Sequence, residues 1–359
     1  MIVDYIVNTN VNIIDWIAID PMVALAGAVQ MNPPTANFAL LRHRSSGATR
    51  RGRPWFRATS LLPAILLVVL SSYASLASSQ SNVQSQDGYV RHEGSDWVLG
   101  SSVAEKRIRL KDGQLVLASL INKRSGREYQ EVSSASAEIR FVIDGQDVSG
   151  SDWNWSLRDE KAALGKQGEI QLDIELVCAG ISVIKHYVVY PGTPVIREWL
   201  TIENSESKAI KISQIDFLHT SVRSSGSDGL QFNYLTGGGN FIGSQLLKSE
   251  PMGPAYHRTL DSNGGIQPGS YSGYLPLVFL LNTGATEGVA VGWDYLGHWR
   301  FEIGDEEGRP LTMRLELAGF EKELTSGGRI ETPKAFIAPF SGGVDELGNQ
   351  LLDWQYAYL

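Results

Sequence analysis

Cysteine is almost missing from this chain: Cys178 stands alone among 359 residues. An intrachain disulfide framework and a zinc site built on several thiolates are therefore excluded. A basic excess is missing too, since 31 Lys and Arg face 39 Asp and Glu, a formal net charge of −8. Proteins that track a phosphate backbone need a clustered basic face, so nucleic acid is not expected as a partner. The six histidines (His43, His92, His186, His219, His257, His298) form no His-x-His or HExxH pair, and no metal or other cofactor is expected. Long apolar runs are also lacking: LLPAILLVVL at 61–70 is shorter than the roughly 20 residues of a membrane span. What remains is 43% hydrophobic residues and 37 Gly with few charges, a composition that excludes a largely disordered chain.

The short apolar run at 61–70 has a context of its own. Arg42, Arg44, Arg50, Arg51, Arg53 and Arg57 precede it, and the small-residue stretch SSYASLASSQS follows. Basic region, apolar region and small-residue cleavage site is the order of a secretory signal, so 41–77 is expected to direct export, with cleavage near Ala77. The alternative is membrane anchoring through 61–70. Residues 1–40 mix apolar stretches with Asp4, Asp15 and Asp20, and are expected to be a doubtful upstream segment with translation starting at Met31 or later. Residues 78–95 are expected to be a linker.

Downstream, short runs rich in Val, Ile, Leu, Phe and Tyr alternate with polar residues. In 171–177 the alternation is clean, with Leu172, Ile174 and Leu176 on one side and Asp173 and Glu175 on the other. Period two marks a strand with one wet face. Asp112-Gly113 and Asp144-Gly145 are the favoured centres of two-residue hairpin turns, and Gly284, Gly288 and Gly292 are expected to bound short strands. Fifteen or more strands between 96 and 340 predict an all-β fold, a large antiparallel sandwich of two sheets. From about residue 344, Leu347, Leu351, Leu352 and Trp354 take helical spacing, so a helix is expected over the last residues, 341–359 leading out of the sandwich.

Several motifs carry a family resemblance: Asp96-Trp97-Val98-Leu99-Gly100, IRLKDGQLVLASLINKRSGREY from Ile108, Pro194-Val195-Ile196-Arg197-Glu198-Trp199, and ETPKAFIAPFSGGVDELGNQLLDWQY at 331–356. Together they resemble the N-terminal β-supersandwich, a galactose-mutarotase-like fold, of α-galactosidases in glycoside hydrolase family 36. The resemblance implies a linker helix leading to a (β/α)₈ barrel with two catalytic aspartates, to which no residue here maps. It therefore implies a fragment without its barrel, a non-catalytic domain of a secreted glycosidase acting on α-galactosides. Its partners would be a galactoside-type carbohydrate, the absent barrel and other subunits of a homo-oligomer. Two alternatives are a stand-alone carbohydrate-binding protein and an aldose-mutarotase-like epimerase using His186 or His219 with a distant Glu.

One segment suits sugar recognition. Rings stack on the C–H faces of sugars, and carboxylates, His and Arg bond their hydroxyls. Gly292-Trp293-Asp294-Tyr295-Leu296-Gly297-His298-Trp299-Arg300 offers both, so Trp293, Asp294, His298, Trp299 and Arg300 are the candidate substrate-binding residues. The alternative is that Trp293 and Trp299 are core residues of two strands joined at Leu296-Gly297. Trp153 and Trp155 face the same choice between stacking platform and core. Catalytic pairing of Asp159-Glu160 or Asp305-Glu306-Glu307 is not expected, because both lie in polar surface stretches. Cys178 is expected to act as a small hydrophobe, and 236–240 as a flexible glycine turn without the Lys-Ser/Thr of a phosphate loop.

Overall fold

The computed structural model describes residues 82–359 except 131–135, 150–151, 223–229, 237–245, 264–272, 283, 285–286 and 305–310. The expected upstream segment and export signal, the glycine turn at 237–240 and the acidic triplet at 305–307 lie outside the described residues.

Alternation becomes strand wherever one face can be buried. The first sheet holds β1 (Val83–Ser85), β2 (Gly88–Glu93), β3 (Asp96–Gly100), β4 (Ala104–Lys111), β5 (Gln114–Asn122), β6 (Arg127–Glu128) and β7 (Ser136–Ala137). It is an antiparallel meander from β1 to β6, with β7 beside β5. Next come β8 (Arg140–Ile143), β9 (Gln146–Asp147), β10 (Ser156–Leu164), β11 (Ile170–Cys178), β12 (Ile181–Val189), β13 (Ile196–Asn204) and β14 (Ile210–Val222). They are followed by β15 (Leu230–Thr236), β16 (Leu247–Pro251), β17 (His257–Asp261), β18 (Tyr274–Asn282) and β19 (Glu287–Trp293). The last strands are β20 (Trp299–Gly304), β21 (Leu311–Leu317), β22 (Glu321–Leu324), β23 (Arg329–Glu331) and β24 (Ala335–Ser341), and helix α1 (Val344–Tyr358) closes the order.

A ten-stranded sheet runs β10-β11-β12-β13-β24-β19-β18-β15-β16, with β23 beside β13. A third sheet runs β17-β20-β21-β14-β8-β9, with β22 beside β14. The ten-stranded sheet is one layer, and the first and third sheets together face it, so the expected second sheet is divided in two. One core joins all three, from Trp97 and Ile108 through Leu172, Val183 and Ile337 to Phe217, Phe301 and Leu315. The stretch 78–95 read as linker carries β1 and all of β2; its strands are too short to show a period, yet Tyr89 and Val90 are buried.

The two Asp-Gly turns take the left-handed backbone at both central residues, φ 49° and 70° for Asp112-Gly113 and 49° and 86° for Asp144-Gly145. That geometry matches the strand twist of a tight hairpin. Gly288 and Gly292 do not bound strands; both sit inside β19. A Cβ on Gly288 would meet the Phe340 ring at 2.6 Å, and one on Gly292 the Phe336 ring at 2.3 Å. Their role is to let those rings lie flat on the outer face of the ten-stranded sheet.

Helix α1 covers that outer face. Leu347, Leu351 and Trp354 pack with Val188, Tyr190, Phe336 and Phe340 in a second apolar cluster. Glu346 accepts from the Gly343 N–H at 2.8 Å, and Asp345 adds a second acid to the first turn, where the helix dipole favours negative charge. No helix among the described residues is long and apolar enough to cross a membrane.

Candidate functional site

The five candidate residues from the 292–300 segment part company in the structure. Trp293 closes β19 and Trp299 opens β20, and both are buried, at 3% and 2% exposure. Their rings meet edge to face at 4.7 Å, and Trp293 stacks on Phe301 at 6.0 Å. They are core, and their faces are not offered to a sugar. Trp155 is core as well, with the half-buried Trp153 stacked on it at 5.8 Å. Asp294 is exposed and paired with Arg197 of β13.

His298 and Arg300 do converge, on a residue the sequence did not single out. His298 Nε2 lies 2.8 Å from Asp261 Oδ1, and Arg300 donates to Asp261 Oδ2 at 3.4 Å and to Glu316 Oε1 at 3.2 Å. Strand register explains the meeting: Asp261 pairs with Arg300, Arg300 with Glu316, Glu316 with Asp216, and Asp216 with Arg140. Period-two strands point all five side chains to the face of the third sheet opposite the core.

A second row completes the lattice. Arg314 donates to Asp216 at 3.0 Å, to Glu302 at 3.1 Å and to Glu316 at 3.3 Å. Arg140 donates to Asp216 at 3.3 Å and pairs with Asp147 at 3.1 Å. Burial deepens from rim to centre: Arg300 is 37% exposed, Asp261 23%, Glu316 12% and Asp216 0% by side chain. Burial and the neighbouring Asp216 charge lift the Glu316 carboxyl above its ordinary range, against Arg300 and Arg314. At Asp261 burial also opposes the charge, but the Asn263 N–H, His298 and Arg300 outweigh it and hold the carboxyl low.

Every carboxylate of this lattice accepts from a guanidinium, and the rim groups stay partly open to water. Such a surface suits hydroxyl recognition by planar polar groups better than proton transfer, which needs an uncommitted acid or base. The two histidines considered for epimerase chemistry are committed elsewhere. His186 lies 2.6 Å from Asp173 and 3.0 Å from Thr201 and stacks on Trp199. His219 lies 2.6 Å from the Ala137 carbonyl, and burial lowers its pKa. Glu160 bonds the Trp97 indole at 2.7 Å and His92 at 2.9 Å. Among the described residues no group of three or more His, Cys, Asp and Glu could hold a metal ion.

A charged cluster of another kind lies inside the sandwich. Lys106, Lys185, Glu138 and Glu198 are all fully buried. Lys106 Nζ is 2.9 Å from Glu138 and 2.6 Å from Glu198, and the Tyr187 hydroxyl donates to Glu138 at 2.8 Å. Burial works against the charge on Lys106, yet the two carboxylates overcome it and raise its pKa; at Lys185 burial prevails and lowers it. Completely enclosed, these groups join the first sheet to the ten-stranded sheet.

No family model and no curated protein matches this sequence. Solved structures do match its fold. The galactosidase domain of an α-galactosidase–sucrose kinase aligns over 73% of this chain at a TM-score of 0.58 and 15% identity. The α-galactosidase from Lactobacillus brevis aligns over 78% at 0.56 and 11%, and a GH36 α-galactosidase from Geobacillus stearothermophilus over 73% at 0.56 and 14%. What is shared is the fold. The chain spans 42–43% of the length of these proteins. The sandwich thus has the architecture of part of GH36 α-galactosidases, as the motifs at 96–100, 194–199 and 331–356 imply.

Proposed function

We propose that this chain is the N-terminal, non-catalytic β-supersandwich of an exported α-galactosidase-like glycoside hydrolase. In this reading it supports a catalytic barrel, takes part in oligomer assembly and presents a polar surface to carbohydrate. The observation that carries the reading is the fold match to α-galactosidases over about three-quarters of the chain. Fold alone does not license an activity, so the site must carry the rest. The Asp261–His298–Arg300 rim offers the acceptors and donors that galactoside hydroxyls need. Related Geobacillus enzymes of the same fold are described in complex with raffinose and with stachyose, which makes α-galactosyl oligosaccharides the first ligands to try. Export rests on the order of residues 41–77. Leu352 and Tyr356, exposed one turn apart on α1, suit a helix that docks a further unit.

A stand-alone carbohydrate-binding protein is the second reading, favoured by the same rim. Calorimetric titration of raffinose into the full chain tests the rim in either case. Binding by the wild type, weakened roughly tenfold or more by Asp261→Asn or Arg300→Ala, supports it. No binding, or binding indifferent to both substitutions, removes carbohydrate recognition from this face.

A further inference from the structure

A small cavity of ≈ 10 Å³ lies among residues of the first sheet, the ten-stranded sheet and the end of β14. Apolar walls include Val222 and Leu280, and the polar ones are Arg127, Tyr129, Asn282 and Glu287. Arg127 belongs to β6 and Tyr129 follows it; Asn282 ends β18 and Glu287 begins β19.

Among the described residues, Asn282 Oδ1 and Glu287 Oε2 find no donor, and the Tyr129 hydroxyl, with the Asn122 amide beside it as a donor, finds no acceptor for its own hydrogen. Buried polar groups are nearly always bonded, so three unmet groups around one cavity need a common explanation. Their capacities are complementary. The amide oxygen and the carboxylate oxygen can only accept, whereas the phenol can donate.

We propose that this cavity binds one water molecule as a fixed part of the fold. The water donates one hydrogen to Asn282 Oδ1 and the other to Glu287 Oε2, and accepts the Tyr129 hydroxyl hydrogen. Three bonds is the usual count for a buried water, and the cavity has about the volume that one water requires. A cation suits the site poorly. Glu287 already receives Arg127 Nη1 on its other oxygen at 3.3 Å, so the negative charge is met and a fixed positive charge lines the wall. Three oxygen ligands also fall short of the six to eight that a calcium ion takes.

The water ties the two layers together where direct bonds already do so. Asn122 Nδ2 donates to the Phe340 carbonyl and to Ser341 Oγ, both at 3.0 Å, and Arg127 pairs with Glu287 beside it. This site is independent of any carbohydrate function, since none of its groups belongs to the polar face of the third sheet.

A crystal structure of the full chain, sharp enough to place waters, tests the site. One oxygen within about 2.7–3.2 Å of Tyr129 OH, Asn282 Oδ1 and Glu287 Oε2 is the expected result. An empty cavity, a direct Tyr129–Glu287 bond or a bound ion at shorter distances overturns it. In solution, oxygen-17 relaxation dispersion should count one fewer long-lived water in Asn282→Leu than in the wild type. Should that variant not fold, Tyr129→Phe keeps the shape, and the residence time should fall by roughly tenfold with one bond gone. An unchanged count and residence time in the folded variants also overturns the proposal.

Discussion

Lys106 meets two carboxylates at hydrogen-bond distance with no access to water, and such a residue is expensive to remove. Lys106→Met should destabilise the chain by about 3–5 kcal/mol, because the more distant Lys185 is then the one cation beside Glu138 and Glu198 among the described residues. Urea unfolding measures it, and a loss below about 1 kcal/mol would contradict the charged cluster described above. Asp96 gives a pH-dependent counterpart. Arg109, bonding both carboxylate oxygens at 2.5 and 2.7 Å, holds its pKa at about 2. An unfolded Asp titrates near 3.9, so the unfolded chain takes up the proton first as pH falls. The contribution is whole above about pH 4 and is lost as pH falls through 2. It should amount to about 1–2 kcal/mol, discounted from the full shift because Arg109 is 43% exposed. Unfolding of Asp96→Asn between pH 2 and 6 should show the difference from wild type vanish at the acid end. At the lattice rim, Arg300→Ala should cost little stability, whereas Trp299→Ala should cost about 3–5 kcal/mol as a core deletion.

At the level of elements, most of the fold was open to reading. Leu172, Ile174 and Leu176 of β11 are fully buried as their alternation predicts, and the two Asp-Gly turns adopt the expected backbone. Ala179-Gly180 makes a turn of the same kind, φ 45° and 73°, and went unread because Ala carries no turn signal of its own. Gly288 and Gly292 read as strand ends because a strand interior rarely favours glycine; the rings they accommodate, Phe340 and Phe336, lie far along the chain on the neighbouring strand β24. Helix α1 begins where its spacing predicts and buries Leu347, Leu351 and Trp354. Trp354→Ala should therefore loosen the helix at a cost of about 3–5 kcal/mol. Tyr356→Ser, at 87% exposure, should change thermal stability within about 0.5 kcal/mol. Amide exchange along 344–358 distinguishes the two variants, and equal protection in both would contradict the packing of α1.

For the molecule as a whole, the fold class and the start of the last helix were legible, while the polar site was only half so. His298 and Arg300 stood out in a segment rich in recognition chemistry, but Asp261, Glu316, Arg314 and Asp216 join them only through strand register. Pairing partners lie tens of residues apart, and single-sequence periodicity reports which way a side chain points without naming its neighbour. The tryptophans mislead for a related reason: a large ring beside charged residues signals a sugar platform or a core corner equally well. The division of the facing layer into two sheets follows from long-range pairing as well. The central claim, that this sandwich leads into a galactosidase barrel, is tested most directly by reading the coding sequence beyond residue 359. The account predicts a continuing frame that encodes a (β/α)₈ barrel with a pair of catalytic aspartates. A stop codon immediately after Leu359 would contradict it.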